Sequence, residues 1–225
     1  MTTPEEHPIL GKLPDGWVAT TLKSCCTYIQ RGKAPTYVEE SPIRALNQRA
    51  IRWGYIEEEH LKYHDPDVKI EQRHFIVSGD VVVNSTGDIT IGRAYLFRET
   101  PPPMFADSHV TIVRCNNDVL AAPYLVNLLA TPEYQDLIYS MVTGSTGQLE
   151  LNKSNLESLP ILRPPTEVQV ELCRLWKPLY DSIALCDALR GQAEKAIRLL
   201  LDHRVLDLWR DARWSPSAGT PQGKD

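Results

Sequence analysis

The stretch "MVTGSTGQLELNKSNLESLPILRPPTEVQ", from Met141 to Gln169, decides the fold class. Its first half is rich in small residues and hydrogen-bonding side chains, which favours a loop. Its centre, "LPILRPP", is extended and is stopped by two prolines, and its end opens a helical pattern. The chain therefore changes within this stretch from a domain with polar loops to the root of a long helix.

Upstream of this stretch, the sequence predicts short strands separated by turns, with a few short helices. In "GDVVVNSTGDITIGRAYLF", residues 79–97, two β-branched runs flank "NSTGD", which predicts a hairpin-like pair of strands. "SHVTIVRC", residues 108–115, alternates like a further strand, and residues 122–142 have the spacing of two short helices that meet at Pro132. We predict an α+β fold, with one mixed globular domain at residues 13–165.

Downstream of Pro165, apolar residues recur every seven positions, which indicates a helix that seeks a helical partner. Pro178 must lie in the first turn of a helix or at a kink, so we expect a short helix from about Thr166 to Trp176 and a long one from about Lys177 to Ala212. Residues 166–213 are predicted to be a coiled-coil-forming spacer or dimerisation region. Its expected interface residues are Leu172, Leu175, Leu179, Ile183, Leu189, Ile197 and Leu200.

The two ends of the chain carry no pattern of regular structure. Residues 1–12 are expected to be a flexible lead-in, and residues 214–225 a disordered tail. The sequence shows no charged leader before an apolar run and no apolar run of the roughly 20 residues that span a bilayer, so we expect a cytoplasmic protein without membrane contact. Its five cysteines include no CxxC pair, so we expect buried free thiols and neither a disulfide framework nor a metal site.

The net charge of −5 does not by itself indicate a protein that binds nucleic acid. The average conceals a basic segment, however. Between residues 23 and 52, only Glu39 and Glu40 oppose the bases Lys23, Arg31, Lys33, Arg44, Arg49 and Arg52. Such a segment either neutralises a few phosphates or forms a solvated face of mixed charge, and the sequence leaves both interpretations open.

Motifs of several enzyme classes are absent from the sequence. There is no phosphate-cradling glycine loop, and "RPPTE" at residues 163–167 lacks the carboxylate or amide and the aromatic residue of an adenine methyltransferase motif. "ADSH", residues 106–109, is better explained as a strand entry than as a catalytic triad, because neighbouring strand residues face opposite sides. Asp67 and Glu71 suggest a metal-dependent nuclease, although the lysine that such sites usually have just after the glutamate is missing. That nuclease remains an alternative.

Polar loops carry the remaining functional signal. "YIQRGKAPTY" at residues 28–37 and "LNQRAIRW" at residues 46–53 mix amides and bases with aromatic residues, a combination that can contact base edges and phosphates. An ordinary polar surface, with Trp53 in the core, is the alternative. The candidate DNA-binding residues are Gln30, Arg31, Lys33, Asn47, Gln48, Arg49, Asn84, Ser85, Thr86, Arg93, Thr143, Ser145, Thr146 and Gln148.

In their order, "LPDGW", "IQRGKAPTY", "SGDVVVNSTGDITIGRAYLF", "TGSTGQLELNKSNLESLPILRPPTEVQ" and the helical region resemble the specificity subunit of type I restriction-modification enzymes. The resemblance covers Leu13 to about Arg213. In its most specific part, Glu167 and Gln169 match the Glu-x-Gln at the start of the family's spacer helix. It implies that residues 143–151 belong to the DNA-facing side of a target-recognition domain and that the spacer helix begins at Thr166.

Members of this family commonly carry two recognition domains and two spacers, whereas one copy of each is found here. The resemblance therefore implies a half-size, non-catalytic subunit without cofactors that recognises double-stranded DNA. Its expected partners are a DNA adenine methyltransferase, an ATP-dependent restriction subunit and a second half-size chain, which is either an identical copy, as expected here, or a different one. A DNA-independent protein-interaction module remains a further alternative, because the overall charge is acidic.

Overall fold

A computed structural model of the chain describes residues 6–7, 9, 11–144 and 149–211. These residues form two compact units that meet in sequence between Ala184 and Leu185. The first unit contains all the strands and short helices and the beginning of a long helix. The second unit, within the described range, is helical throughout.

Twelve short strands and four α-helices make up the regular structure of the described residues. The strands are β1 Glu6–His7, β2 Gly11–Lys12, β3 Val18–Thr21, β4 Cys26–Arg31, β5 Tyr37–Val38, β6 Arg44–Leu46, β7 Lys62–His64, β8 Asp80–Asn84, β9 Ala94–Leu96, β10 Met104–Ala106, β11 Val110–Cys115 and β12 Pro160–Arg163. The helices are α1 Ala122–Leu129, α2 Pro132–Ser140, α3 Lys153–Glu157 and α4 Thr166–Asp211, with 3-10 turns at Leu22–Cys25, Glu58–His60 and Gln72–His74.

The described strands form two four-stranded sheets, in the orders β4-β11-β8-β9 and β10-β6-β7-β5, and two ribbons, β1-β2 and β12-β3. Strand β10 runs parallel to β6, and the other neighbours are antiparallel. The α+β character predicted from the sequence is therefore confirmed.

The predicted strand pair in residues 79–97 is present, but its second strand is shorter than expected. Val81 pairs with Leu96 and Val83 with Ala94, so β8 and β9 are antiparallel neighbours. Residues 87–92 instead fold into a turn, in which Gly87 and Gly92 have positive φ angles of 96° and 82°. The Thr90 hydroxyl donates to the Thr86 carbonyl oxygen and helps to close this turn. The apolar run "ITIG" is therefore not a strand, because the glycines at both ends of the turn direct the backbone away from the sheet.

The central strands β8 and β11 of the sheet β4-β11-β8-β9 are buried on both faces, which explains why "VVV" is a continuous apolar run. Val81 and Val83 belong to a core with the helices α1 and α2. Val82 and Ile112 face the opposite way, into a second core that includes Leu46 of β6. The central strands β8 and β11 thus separate two apolar layers, one beneath the helices and one beneath the other four-stranded sheet.

A buried ion pair links the two central strands at one end. Arg114 Nε donates to Asp80 Oδ1 at 2.8 Å, and Arg114 Nη2 donates to Asp80 Oδ2 at 3.2 Å and to the Phe75 carbonyl oxygen at 2.8 Å. The Asp80 side chain is only 1% exposed, and the Arg114 guanidinium also lies 4.6 Å from the centre of the Tyr28 ring. Its bidentate geometry satisfies the buried carboxylate, which would otherwise be costly to desolvate.

The root of α4 is anchored to the globular unit through Gln169, which is 1% exposed. Its Oε1 accepts from the Ala121 backbone N–H at 2.8 Å, and its Nε2 donates to the carbonyl oxygens of Val119 and Pro164. Seven residues on, the Trp176 ring stacks on Tyr124 of α1 at a centroid distance of 6.0 Å. The first three turns of α4 therefore pack against the core of the first unit.

The expected break at Pro178 is wrong, because α4 is one 46-residue helix with Pro178 inside it. Proline leaves the carbonyl four residues earlier, that of Arg174, without its helical donor. Both residues are exposed, so water can bond that carbonyl, and the hydrogen bonds on either side keep the helix continuous. No helix in the described part of the chain is both long and apolar enough to cross a bilayer.

The cysteines match the expectation only in part. All five are free, as predicted, but only Cys25 is fully buried and Cys186 is exposed.

The close approach of the two four-stranded sheets depends on Gly32, which follows β4. Its backbone N–H donates to the Val110 carbonyl oxygen at 2.9 Å, and the next N–H, of Lys33, donates to Ala106 at 3.0 Å. A Cβ on residue 32 would lie 1.9 Å from the Ala106 carbonyl oxygen and 2.4 Å from that of Asp107. Only glycine therefore fits between the end of β4 and the link from β10 to β11.

We predict that Gly32→Ala lowers the free energy of unfolding by roughly 1–3 kcal/mol, because backbone atoms must move to admit the methyl group. Urea unfolding followed by circular dichroism measures this change. Gly191→Ala in α4 is the matched control, since a Cβ there meets no atom within 4 Å and alanine favours a helix. Equal stability of wild type and Gly32→Ala would contradict the prediction.

Candidate nucleic-acid interface

A concavity of about 560 Å³ opens where the two four-stranded sheets meet. It is built from the segment after β4, the loop after β6, strand β7 and the link between β10 and β11. Its walls carry amides, bases, an acid and an aromatic ring: Tyr37, Val38, Asn47, Gln48, Arg49, Lys62, Asp107 and His109. A surface of this composition can donate and accept hydrogen bonds and hold negative charge.

Asp107 forms the floor of this concavity and is only 1% exposed. Its Oδ1 accepts from the His109 backbone N–H at 2.8 Å, which shapes the turn into β11. Burial raises the pKa of the Asp107 carboxyl to about 6, against the opposing effects of that hydrogen bond and of the His109 and Arg31 charges. Near neutral pH the concavity therefore carries a carboxylate that is costly to keep charged, beside the cations of its rim.

Three side chains at the edge of the concavity form a hydrogen-bonded network. The Thr86 hydroxyl donates to Gln48 Oε1 at 2.5 Å and lies 2.9 Å from His109 Nδ1. The Asn84 amide donates to the Gln48 carbonyl oxygen at 3.0 Å and so fixes the backbone of the same residue. This network, called here the Thr86 relay, joins Gln48, Thr86 and His109 from three different segments.

The polar segment 143–150 begins and ends beside the Thr86 relay. The backbone groups of Thr143 and Glu150 bond each other at 2.9 and 2.8 Å, and Glu150 also forms a bridge with Thr86. Arg31 clamps this base, because its Nη1 donates to Glu150 Oε1 at 2.5 Å and its Nη2 bonds the carbonyl oxygens of Ser85 and Leu151. The tip of the segment with Ser145, Thr146 and Gln148 lies outside the described residues.

Several of the candidate residues predicted from the sequence meet at this place. Gln48, Arg49 and Asn47 line the concavity, Thr86 is bonded to Gln48, and Thr143 is exposed nearby at the base of segment 143–150. The Asn47 side chain, however, bonds the backbone N–H groups of residues 49 and 50 and the His60 carbonyl oxygen. Asn47 therefore shapes the loop, and Gln48 and Arg49 are the side chains that the loop presents.

Other candidates have internal partners in the structure. Asn84 and Ser85 are fully buried, and Ser85 Oγ lies 2.6 Å from Thr111 Oγ1, so both residues support the surface from beneath. Gln30 accepts from Lys153 Nζ at 2.9 Å, and Arg31 is engaged with Glu150 as described above. Arg93 is half-buried before β9, whereas Lys33 is exposed next to Ala106.

Five residues of the concavity were not among the candidates: Tyr37, Val38, Lys62, Asp107 and His109. Tyr37 belongs to a quoted loop, and Asp107 and His109 were noticed only as a strand entry. Lys62 follows the acidic run "EEEH" and gave no signal of its own. The missing information is the sheet topology, which places β7 and the β10–β11 link beside the loop after β6.

The carboxylates of the nuclease alternative do not form a metal site in the described structure. Asp67 and Glu71 are exposed, and Glu71 is paired with Arg73 at 2.8 Å. Across the described ranges, no group of three or more His, Cys, Asp or Glu residues is arranged to hold a metal ion.

The chain is similar in sequence to specificity subunits of type I restriction enzymes. It is 23% identical over 206 residues to the EcoEI specificity subunit of Escherichia coli, a match that covers 85% of this chain and 33% of that protein. It is 21% identical over 203 residues to the putative MjaX specificity subunit of Methanocaldococcus jannaschii, with 85% and 44% covered. No family model matches the chain.

Solved structures of type I systems share its fold. The HsdS subunit from Thermoanaerobacter tengcongensis aligns with a TM-score of 0.57 at 19% identity, over 96% of this chain and 54% of that one. A chain from a structure of complex assembly in a type I R-M system aligns with a TM-score of 0.60 at 20% identity, over 94% and 53%. The resemblance seen in the sequence is confirmed over most of the chain, which spans about a third to a half of these relatives.

The raised pKa of Asp107 makes stability depend on pH. The Asp107 carboxyl holds its proton more tightly in the folded state than in the unfolded state. Its protonation therefore adds to the free energy of unfolding below the ordinary carboxyl pKa, and this gain is lost as pH rises through about 6. We predict that the free energy of unfolding falls less between pH 4 and pH 7 in Asp107→Asn than in wild type, by roughly 1–3 kcal/mol. The asparagine keeps an oxygen that accepts from the His109 N–H.

Urea unfolding at several pH values measures this difference. Asp88→Asn is the control, because Asp88 is exposed on the turn between β8 and β9. A pH profile of Asp107→Asn that is parallel to that of wild type would show that the prediction is wrong.

Proposed function

We propose that the chain is a DNA-recognition subunit that directs a partner adenine methyltransferase, and through it a restriction subunit, to a bipartite site on double-stranded DNA. One observation carries this proposal. The amide of Gln48 and the cations of Arg49 and Lys62 line one concavity, and the start and end of segment 143–150 lie beside the Thr86 relay at its edge, in a fold shared with type I specificity subunits. The protein would act in the cytoplasm, where that DNA is found.

The chemistry of the concavity suits duplex DNA better than a small molecule or a peptide. Arg49 and Lys62 are exposed on its rim and can neutralise phosphates. Gln48 and His109 stand beside them and can bond base edges, which carry the sequence information. The acidic net charge of −5 is compatible with this proposal, because phosphate contacts need only local cations.

We infer that the subunit is non-catalytic and needs no cofactor or metal of its own. The relatives are named as specificity subunits, and the residues of the nuclease alternative are exposed and scattered. The alternative of a DNA-independent interaction module rests on the acidic net charge alone.

A second recognition unit is needed to read a bipartite site, and we propose that a second copy of the chain supplies it. The part of α4 in the second unit presents exposed apolar side chains: Leu185 at 60%, Leu189 at 54%, Ile197 at 57%, Leu199 at 60% and Leu200 at 66%. A single helix cannot bury such residues, so we propose that two helices pair as a coiled coil and space the two recognition units. An identical pair would read an inverted repeat with a gap.

Not every residue expected in this interface is available for it. Leu172 packs against the core of its own first unit, whereas Leu175 is 55% exposed. The side chains of Leu179 and Ile183 lie outside the described residues. The proposed interface therefore starts at Leu175 and rests mainly on residues 185–200.

DNA binding can be tested by selecting bound duplexes from a random pool and measuring affinity for the selected site and for random DNA. We predict that Arg49→Gln and Lys62→Gln each weaken binding to both kinds of DNA and reduce the salt slope by about 0.9 per charge removed. Arg174→Gln is the control, because Arg174 pairs with Glu171 on α4. Failure of the wild-type chain to enrich any sequence would refute the proposed function.

Assembly provides a separate test. We predict that replacing Leu189 and Leu200 together with Glu yields a monomer with a folded first unit, because two charges cannot be buried in a helical pair. Sedimentation velocity measures the mass, and circular dichroism monitors folding. Glu194→Lys changes a charge away from these leucines by helical spacing and should leave the assembly intact. A wild-type chain that sediments as a monomer at all concentrations would contradict the paired-helix model.

A further inference from the structure

The Thr86 relay limits which hydrogen-bonding groups the concavity can offer. A hydroxyl has one proton and two lone pairs. The proton of Thr86 is given to Gln48 Oε1, which can only accept. His109 Nδ1, 2.9 Å from the same hydroxyl oxygen, must therefore carry a proton and donate it to that oxygen. One threonine thus fixes both the orientation of an amide and the tautomer of an imidazole.

Two groups of the relay remain for a ligand. Neither Nε2 of Gln48 nor Nε2 of His109 has a hydrogen-bond partner within residues 6–7, 9, 11–144 and 149–211. The Gln48 amide nitrogen is a donor, and Nε2 of His109 is an acceptor in the tautomer whose ring proton is on Nδ1. Gln48 Oε1 and His109 Nδ1 are held by the same hydroxyl oxygen, and both side chains line the concavity. The relay therefore presents one donor and one acceptor to the same concavity.

The complement of a donor beside an acceptor is a base edge that offers an acceptor beside a donor. In the major groove adenine has this pattern, with its N7 acceptor and its N6 amino group, whereas guanine offers two acceptors at N7 and O6. The acceptor of His109 would face O6 of guanine without a proton between them. The donor of Gln48 and the acceptor of His109 together therefore favour adenine over guanine.

We propose that Gln48 and His109, locked by Thr86, read an adenine at one position of the half-site, and that His109 determines the discrimination against guanine. This inference rests on the proposed DNA-recognition function and adds the base read by one part of the surface. Thr86 is a positioning residue, because it acts through the two side chains that it bonds. The charge of the concavity alone predicts neither the proposed role of His109 nor the positioning role of Thr86.

The backbone around the relay is held independently of the Thr86 hydroxyl. Thr86 forms a backbone bridge with Glu150, and its carbonyl oxygen accepts from Thr90. Valine has the same shape as threonine, so Thr86→Val removes the hydroxyl and leaves these contacts in place. The variant therefore tests the relay without dismantling the surface.

The experiment uses the full-length chain and fluorescence anisotropy on the duplex that it selects, with each position of the half-site changed in turn. In wild type, one A·T pair replaced by G·C should weaken binding about tenfold or more. Thr86→Val should reduce that discrimination, read as the ratio of the two affinities, to below about threefold. Thr86→Ser should restore it, since the hydroxyl is kept, and Thr27→Val, the same change on an exposed residue of β4, should have no effect.

Exchange of the acceptor gives a sharper test. His109→Lys places donors where the acceptor stood, so the preference at the same position should shift from adenine towards guanine, read as a ratio of affinities. Retention of the wild-type ratio in both Thr86→Val and His109→Lys would overturn the inference while the proposed function stands. Equal loss of binding to selected and random DNA in Thr86→Val would also overturn it, by showing a structural role. A wild-type chain without sequence preference would refute the proposed function itself.

Discussion

The proposed recognition surface depends on a backbone contact that tolerates no side chain. Gly32 passes close to the Ala106 and Asp107 carbonyl oxygens, and the N–H groups of Gly32 and Lys33 donate to Val110 at the start of β11 and to Ala106 at the end of β10. This contact brings the second sheet, with β6 and β7, against the edge of the first. Gln48, Lys62 and His109 come from segments far apart in sequence, and they share one concavity because the two sheets are held at this distance.

Burial divides the polar residues of this region into two groups. One group forms hydrogen bonds to loops and strand ends beneath the surface and consists of Asn84, Ser85 and Arg31. Gln48, Arg49 and Lys62 keep free groups above it. The first group makes the second rigid, and a site whose side chains are already oriented loses less conformational entropy when a ligand binds. The polar composition of the loops thus reflects support as much as contact.

The sequence predicted the elements better than the site. β-branched runs located β8 and β11, and Pro132 marked the start of α2, because these signals are local. The continuity of α4 through Pro178 was missed, since one lost hydrogen bond costs less than ending a helix whose other bonds remain. Asn84 and Ser85 were assigned to the surface because their types suit DNA, and only the pairing of β8 with β11 shows that the end of this strand is buried. His109 was missed because its partners lie in other segments.

The anchor of α4 at Gln169 bears on how such a protein can diversify. Its three partners, the Ala121 N–H and the carbonyl oxygens of Val119 and Pro164, are all backbone groups. The attachment is therefore indifferent to which side chains those positions carry. The loops between β4 and β12 can therefore change in sequence while α4 stays attached in the same way. The proposed recognition surface can change without a change in the attachment of the helix.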